Sequence, residues 1–280
     1  MWFREESHLW PGQSFSLETT RCIVDTRSRF QHIQVFETAT YGCLLVLDGC
    51  IQLTERDEFS YHEMMAHTGV FGMGGEARSV LVIGGGDGGV VRELCKHTSV
   101  EEIHLCDLDE EVIRVSKEHF PKVASGLGDS RVTIHVEDGA QYMSRHSNKF
   151  DLIIVDSSDP VGPAETLFGA DFKTACHKAL KSRGVLIQQG ECMWLHLDLI
   201  KTMLLQSREL FDCALYSWHS IPTYPCGTIG LAIAVKGDLD MKLPKSFEGS
   251  SSVLLETRYY TEDIHRASFS LPKFVAAALI

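Results

Sequence analysis

The chain has 280 residues, 44% hydrophobic and 23% charged, the composition of a globular protein with enough length for one large core or two smaller ones. Its 26 Lys and Arg against 38 Asp and Glu leave a net charge of −12, which argues against nucleic acid and anionic membrane as partners and favours cationic ligands. No apolar run is long enough to cross a bilayer and Met1–Gly12 lacks the apolar segment of a leader, so a cytoplasmic location is expected. Along the chain, alternating apolar positions in FSLETTRCIV (Phe15–Val24), QHIQVFET (Gln31–Thr38) and GCLLVLDGCIQLT (Gly42–Thr54) predict strands, with Asp48-Gly49 as a type I′ hairpin turn. They define a small antiparallel β domain over residues 1–55, followed by a second domain over 56–280. Thr54 stands before ERDEFSYHEMMAH, a predicted helix whose early acids suit its N-terminus and whose Phe59, Met64 and Met65 can face a core. Its His62 and His67 are five apart rather than the four of a zinc-protease motif and diverge by roughly 140° on a helix, so no metal site is expected. A Gly-rich connector, Gly69–Gly75, ends it.

From Ser79 onward short apolar runs alternate with helical stretches: SVLVIG then GVVRELCKH, EEIHLCDLD then EEVIRVSKEHF, RVTIHVED then GAQYMSRH, FDLIIVD then a helix through ACHKAL, GVLIQQ then HLDLIKTMLLQSRELF. Five strand-to-helix units with Val, Ile and Leu on both strand faces imply a doubly wound, Rossmann-like parallel α/β sheet, whose ligands bind at the carboxyl ends of the strands. Polar Lys236–Ser252 reads as a surface loop. Nine cysteines scattered without a C-x-x-C pair read as small hydrophobes in a reducing compartment, not as a disulfide frame or zinc site.

After the first strand of this sheet comes GGGDGG, Gly84 to Gly89, with Asp107 about twenty residues on. Gly84, Gly85 and Gly86 allow a tight turn close to a nucleotide, and an acid at Asp107 can bond ribose hydroxyls; dinucleotide and sulfonium-nucleoside sites both use such a loop. Asp87 separates them. Beside a pyrophosphate, like charges ~5 Å apart at an effective dielectric of ~20 repel by about 3 kcal/mol, a loss of roughly a hundredfold in affinity. A sulfonium or ammonium gains by the same logic, so an NAD oxidoreductase is disfavoured. Asp138-Gly139, at the end of the third strand, suits an adenine amino group. The alternatives are a solvent-pointing loop tip for Asp87 and helix N-caps for Asp107 and Asp138.

The fourth strand, Phe150–Val155, runs straight into Asp156 and Asp159 with no basic residue nearby. With Asp87, they are expected at neighbouring strand ends, walling a negative pocket whose natural guest is a diamine; the alternative is that Asp159-Pro160 opens a turn and Asp156 caps the next helix. These stretches, together with LWPGQSFSLE (Leu9–Glu18), LDGCIQLTERDEFSYHEMMAH, VDSSDPVGPAETLF, QQGECMWLHLDLIK, IPTYPCGTIG (Ile221–Gly230) and YYTEDIHRASFSLPKF, make the chain resemble the spermidine synthases, the polyamine aminopropyltransferases, over nearly its whole length.

The resemblance implies a sheet of the nucleoside-methyltransferase type and transfer of an aminopropyl group from decarboxylated S-adenosylmethionine to putrescine, giving spermidine and methylthioadenosine. The nucleoside is a co-substrate; no tightly bound cofactor is expected. It further implies that Gln31, Gln52, His62, Gly84, Gly85, Gly86, Asp87, Asp107, Asp138 and Gly139 hold the nucleoside. Trp10, Tyr61, Asp156, Ser157, Asp159, Gln189 and Tyr224 line the diamine site, with Asp156 the general base assisted by Tyr61 and Asp159. Asp107 stands where relatives commonly carry glutamate, which makes a direct ribose contact less certain. His62 stands where some relatives carry glutamine; either donates a hydrogen bond, so the exchange is expected to matter little. Rival readings are spermidine or cadaverine as acceptor, a putrescine N-methyltransferase, and a non-catalytic subunit, which would be free to lose the acids present here. The resemblance implies a dimer or a tetramer, often formed through the N-terminal strands; a homodimer is expected, with a tetramer as the alternative.

Overall fold

The computed structural model describes residues 1–158 and 166–279; Asp159 lies outside the described residues. An N-terminal antiparallel sheet runs in the order β1 (Trp2–Glu5), β2 (Phe15–Arg27), β3 (His32–Thr38), β4 (Cys43–Leu47), β5 (Cys50–Thr54). Asp48 and Gly49 both have positive φ, 48° and 85°, as a type I′ turn between β4 and β5 requires. Strand β1 has no clear alternation and was not expected; it is held by pairing to β2 from Trp2↔Glu18 to Glu5↔Phe15.

Helix α1 (Glu58–Gly72) begins four residues after Thr54, because Asp57 rather than Thr54 stands at its N-cap. It is buried nearly all round, Met64 and Met65 included, while Phe59 is half-buried under the Arg258 guanidinium, 3.7 Å from its ring centroid. Then follow β6 (Ser79–Gly84), α2 (Gly89–Cys95), β7 (Glu102–Asp107), α3 (Glu110–His119), β8 (Val132–Val136), α4 (Gly139–Ser144), β9 (Phe150–Asp156), α5 (Ala170–Ala179), β10 (Leu180–Gln189) and α6 (Leu197–Arg208). The five expected strands β10-β9-β6-β7-β8 are parallel. The sheet continues beyond them through an antiparallel hairpin, β11 (Cys213–Ser220) and β12 (Thr228–Val235), with β12 against β10. The hairpin was not expected from the sequence: the connection from β11 to β12 is a short turn, which permits only antiparallel pairing.

Alternate residues of each parallel strand enter different cores. Val80, Val82, Leu152 and Ile154 pack with α1 and α2, while Leu81, Ile83, Ile153 and Val155 pack with Tyr142, Phe172 and Cys176 from α4 and α5. The chain ends in α7 (Ser250–Glu256), α8 (Glu262–Ser268) and α9 (Lys273–Ala278). The segment read as a surface loop is a strap: Leu239 and Met241 are buried and the Lys245 N–H donates to the Phe71 carbonyl at 3.0 Å. All nine cysteines are free thiols, but Cys22 and Cys226 are exposed rather than buried.

Candidate active site

Strand β6 sits between β7 and β9, where the order of the sheet reverses, and its last residue Gly84 is in register with Asp156 at the end of β9. That register puts the glycine loop beside Asp156. Gly84 and Gly85 have φ of +73° and +67°, and a Cβ on Gly84 would run into the Asp156 carbonyl oxygen, so only glycine lets the chain turn across the strand end. Asp87 follows, its Oδ1 accepting the Gly89 N–H at 2.6 Å and lying 3.4 Å from His62 Nε2. It therefore faces the helix α1 and not solvent.

Two further strand ends complete this side. Asp107 Oδ2 accepts the Gly86 N–H at 2.9 Å and Oδ1 the Asp109 N–H at 2.8 Å, while the helix cap of α3 is Asp109, not Asp107. Asp138 does cap its helix: its side chain accepts the Gln141 N–H at 2.8 Å, leaving its other oxygen for a ligand. Asp109, which sequence reasoning missed, takes the Ser28 hydroxyl at 2.6 Å and the Gln31 amide at 2.9 Å, and so ties the N-terminal sheet to the nucleotide side. Its position two residues after Asp107, before a helix, was the available signal.

Asp156 is the seam between the two sides. Its Oδ1 accepts the Tyr61 hydroxyl at 2.6 Å, and its Oδ2 is buried with no partner among the described residues. It caps no helix. Beyond it the cavity is walled by residues distant in sequence. The Tyr224 hydroxyl donates to the Gln52 carbonyl at 2.6 Å, and Gln189 Nε2 lies 3.4 Å from Glu191 Oε1. Glu191 is paired with His196 at 2.9 Å, and Glu5 Oε1 accepts the Ile51 N–H at 2.7 Å. Glu5 and Glu191, buried and acidic, were also missed; single acids in β1 and in the turn after β10 carry no motif. Every expected site residue among the described ones, from Trp10 to Tyr224 and including Ser157 and Gly139, lines this one cavity of about 210 Å³.

Burial and then the Asp87 charge push the Asp156 carboxyl up to about 7, against the pull of His62 and the Tyr61 hydroxyl. Burial also lifts Asp107 to about 6 despite its two backbone hydrogen bonds. Burial and the Asp156 charge raise Tyr61 well above the phenol range, so it donates and does not ionise. For His62, burial alone favours the neutral ring, but Asp87 and Glu58 outweigh it and raise its pKa to about 10. The same imidazolium outweighs burial at Asp87 and holds that carboxyl below its ordinary range.

His62, Asp87 and Asp156 bring ligand-type atoms within 4.8 Å of one another, a spacing that could hold a metal ion. Carboxylates are acceptor-only, however, and His62 has one against each nitrogen, Glu58 at 2.6 Å and Asp87 at 3.4 Å. Both nitrogens therefore carry protons and no lone pair is left for a metal; the cation in this cluster is the histidine itself. A glutamine at this position would donate a hydrogen bond but carry no such charge.

A Gly-rich turn at the switch point of a Rossmann-like sheet, opening onto a cleft lined with acids, is the arrangement of a transferase with a nucleoside site. Residues 58–242 match the model of the spermine/spermidine synthase domain, and residues 1–55 that of the spermidine synthase tetramerisation domain. Similar curated proteins include the spermidine synthase of Schizosaccharomyces pombe, 45% identical over 98% of this chain and 92% of its own. The spermine synthase of Arabidopsis thaliana is 44% identical over 95% of this chain and 76% of its own. A crystal structure of a spermidine synthase in complex with the transition-state analogue AdoDATO superposes with a TM-score of 0.94 at 35% identity, covering 100% of this chain and 94% of that one. The chain belongs to the spermine/spermidine synthase family of aminopropyltransferases.

Proposed function

We propose that this enzyme transfers the aminopropyl group of decarboxylated S-adenosylmethionine to putrescine, forming spermidine and methylthioadenosine. The observation that carries the reading is Asp156: half-buried on the cavity lining, raised to about 7, with Oδ1 held by Tyr61 and Oδ2 buried beside the glycine loop. An attacking amine of pKa near 10.4 must lose a proton, and lifting the accepting carboxyl from 3.8 to about 7 removes about 4 kcal/mol from that transfer. Tyr61 fixes the carboxyl through Oδ1, so the proton goes to Oδ2. The fixed positive charge of the sulfonium lowers the amine pKa further, and holding both reactants in line replaces a bimolecular encounter.

In this reading Gln31, Gln52, His62, the loop Gly84–Asp87, Asp107, Asp138 and Gly139 hold the nucleoside. Trp10, Tyr61, Ser157, Asp159, Gln189 and Tyr224 hold the diamine, with Glu5 and Glu191 facing its far ammonium. The nucleoside is a co-substrate, with no resident cofactor or metal. Similarity to a spermine synthase supports a second reading in which spermidine is the acceptor.

We divide the chain at residue 55 and propose that the N-terminal sheet, where Trp2 is 64% exposed, joins two copies into a homodimer. A tetramer is the alternative that light scattering separates. The location is proposed to be cytoplasmic, in keeping with nine free thiols; among the described residues no helix is long and apolar enough to cross a membrane. The decisive experiment incubates the enzyme and decarboxylated donor with putrescine, cadaverine and spermidine and reads product mass. Aminopropyl gain on putrescine supports the reading, and methyl gain or no product overturns it.

A further inference from the structure

Behind the cleft wall, α1 and α2 share a line of alternating charges that meets the cavity only at His62 and Asp87. His62, with 3% of its side chain exposed, has Nδ1 2.6 Å from Glu58 Oε2 and Nε2 3.4 Å from Asp87. Glu58, 7% exposed, is gripped by both terminal nitrogens of Arg92 at 3.0 and 2.9 Å. Arg92 Nε continues to Glu93 at 2.7 Å, and Glu93 also takes Lys96 at 2.6 Å and His67 at 3.0 Å. The packing is built around the imidazole: the first residue of α2 is Gly89, where any Cβ would run into the His62 ring.

We propose that Glu58 is a positioning residue for the transfer: anchored by Arg92, it holds His62 as a fixed, doubly protonated cation against Asp87, and so directs the amine proton to Asp156. The proposal rests on the aminopropyl-transfer reading and deepens it. Asp87, Asp107 and Asp156 share one end of the cleft, where like charges drive one another to keep protons. A cation at ion-pair distance from Asp87 and farther from Asp156 breaks that symmetry. Asp87 stays ionised and attractive to a positive ligand, while Asp156 keeps an unpartnered oxygen among the described residues to act as base. The groups facing His62 are Glu58 and Tyr61 from α1, Asp87 from the glycine loop and Asp156 from the end of β9, with Arg92 behind Glu58. None of the others can replace Glu58 at Nδ1.

Glu58→Gln keeps the shape but removes the charge that holds the Nδ1 proton, and His62→Gln removes the imidazolium. Loss of a nearby positive charge raises the pKa of Asp156, so the acidic limb of the kcat/KM profile is expected to move up by about one pH unit in each variant. The double variant should move no further than His62→Gln alone, because Glu58 acts through His62. In parallel, nitrogen NMR of the wild-type resting enzyme should show both His62 ring nitrogens protonated at about pH 8, above the usual histidine range. An unmoved limb in both folded variants, or a neutral ring at that pH, overturns the proposal. If Glu58→Gln does not fold, His62→Gln and the wild-type ring signal still decide it. A wild type that makes no aminopropyl product sinks the functional reading instead, and the ring signal then reads the His62 charge on its own.

Discussion

The two ends of the cleft are built in different ways. The glycine-loop end comes from successive strand termini: Gly84–Asp87 after β6, Asp107–Asp109 after β7 and Asp138-Gly139 after β8, aligned by parallel register. The far end exists only in the folded chain. Its walls join Leu9 to His196 across 187 positions and Gln52 to Tyr224 across 172. Parallel register delivers the first almost automatically once the sheet forms, whereas the second depends on the N-terminal sheet, α1 and the turn before β12 closing together. Damage to long-range ties should therefore strike the acceptor and spare the nucleoside.

The largest effect is expected at the seam. Asp156→Asn should lower turnover by about a hundredfold or more while calorimetry still finds the donor bound, because the carboxylate acts on the proton and not on the adenosine. Undiminished turnover would remove Asp156 as base. Next comes Asp57, 5% exposed, whose Oδ2 takes both the N–H and the hydroxyl of Thr223 at 2.9 and 2.8 Å and so ties the start of α1 to the Tyr224 turn. Asp57→Ala leaves both donors unsatisfied and should cost about 3 kcal/mol in denaturant unfolding. It should also raise the diamine KM roughly tenfold with donor affinity held within about twofold. Equal losses for both ligands would erase the distinction between the two ends. Smaller again is Asp87→Asn, expected to narrow by several-fold the preference for the decarboxylated donor over S-adenosylmethionine, whose extra carboxylate Asp87 repels. An unchanged ratio in binding titrations would mean the discrimination lies elsewhere.

What the sequence made legible follows the same division. GGGDGG, Asp107, Asp138 and Asp156 stand at the ends of apolar runs, and period and turn chemistry alone place them on one edge of a sheet. Glu5, Glu58, Glu191 and Arg92 have no such marker: each is a charge inside an ordinary strand, helix or turn, and only packing reveals that the acids are buried and Arg92 half-buried. The β11–β12 hairpin was illegible for a related reason, since CALYSWHS and TIGLAIAV sit at the sheet margin without the helix that marked the other strands. His62 was found as a residue, but the two carboxylates against its ring were not legible, because one is Glu58 a turn earlier on the helix and the other Asp87 from another segment.

The smallest effect concerns stability, and its sign follows from Asp156 alone. The carboxyl titrates at about 7 in the folded protein against ~3.9 in an unfolded chain. The folded state therefore binds the proton more tightly. Its contribution to stability is whole below the unfolded value, declines as pH rises, and is gone above about 7, where the carboxylate, with Oδ2 unpartnered among the described residues, is a burden on the fold. Asp156→Asn lifts that burden, so the variant should melt a few degrees above the wild type at about pH 8, with the gap closing toward about pH 5. The raised pKa of His62 adds a pH slope of its own, stabilising below the ordinary histidine range and fading as pH rises toward about 10, but wild type and variant both carry it. Putrescine should shrink the gap at the higher pH by offering the wild-type carboxylate a cation that the amide does not need. A variant that melts below the wild type at about pH 8 would show that Asp156 is satisfied in the resting enzyme, and the seam between the two ends of the cleft would then be an ordinary structural contact.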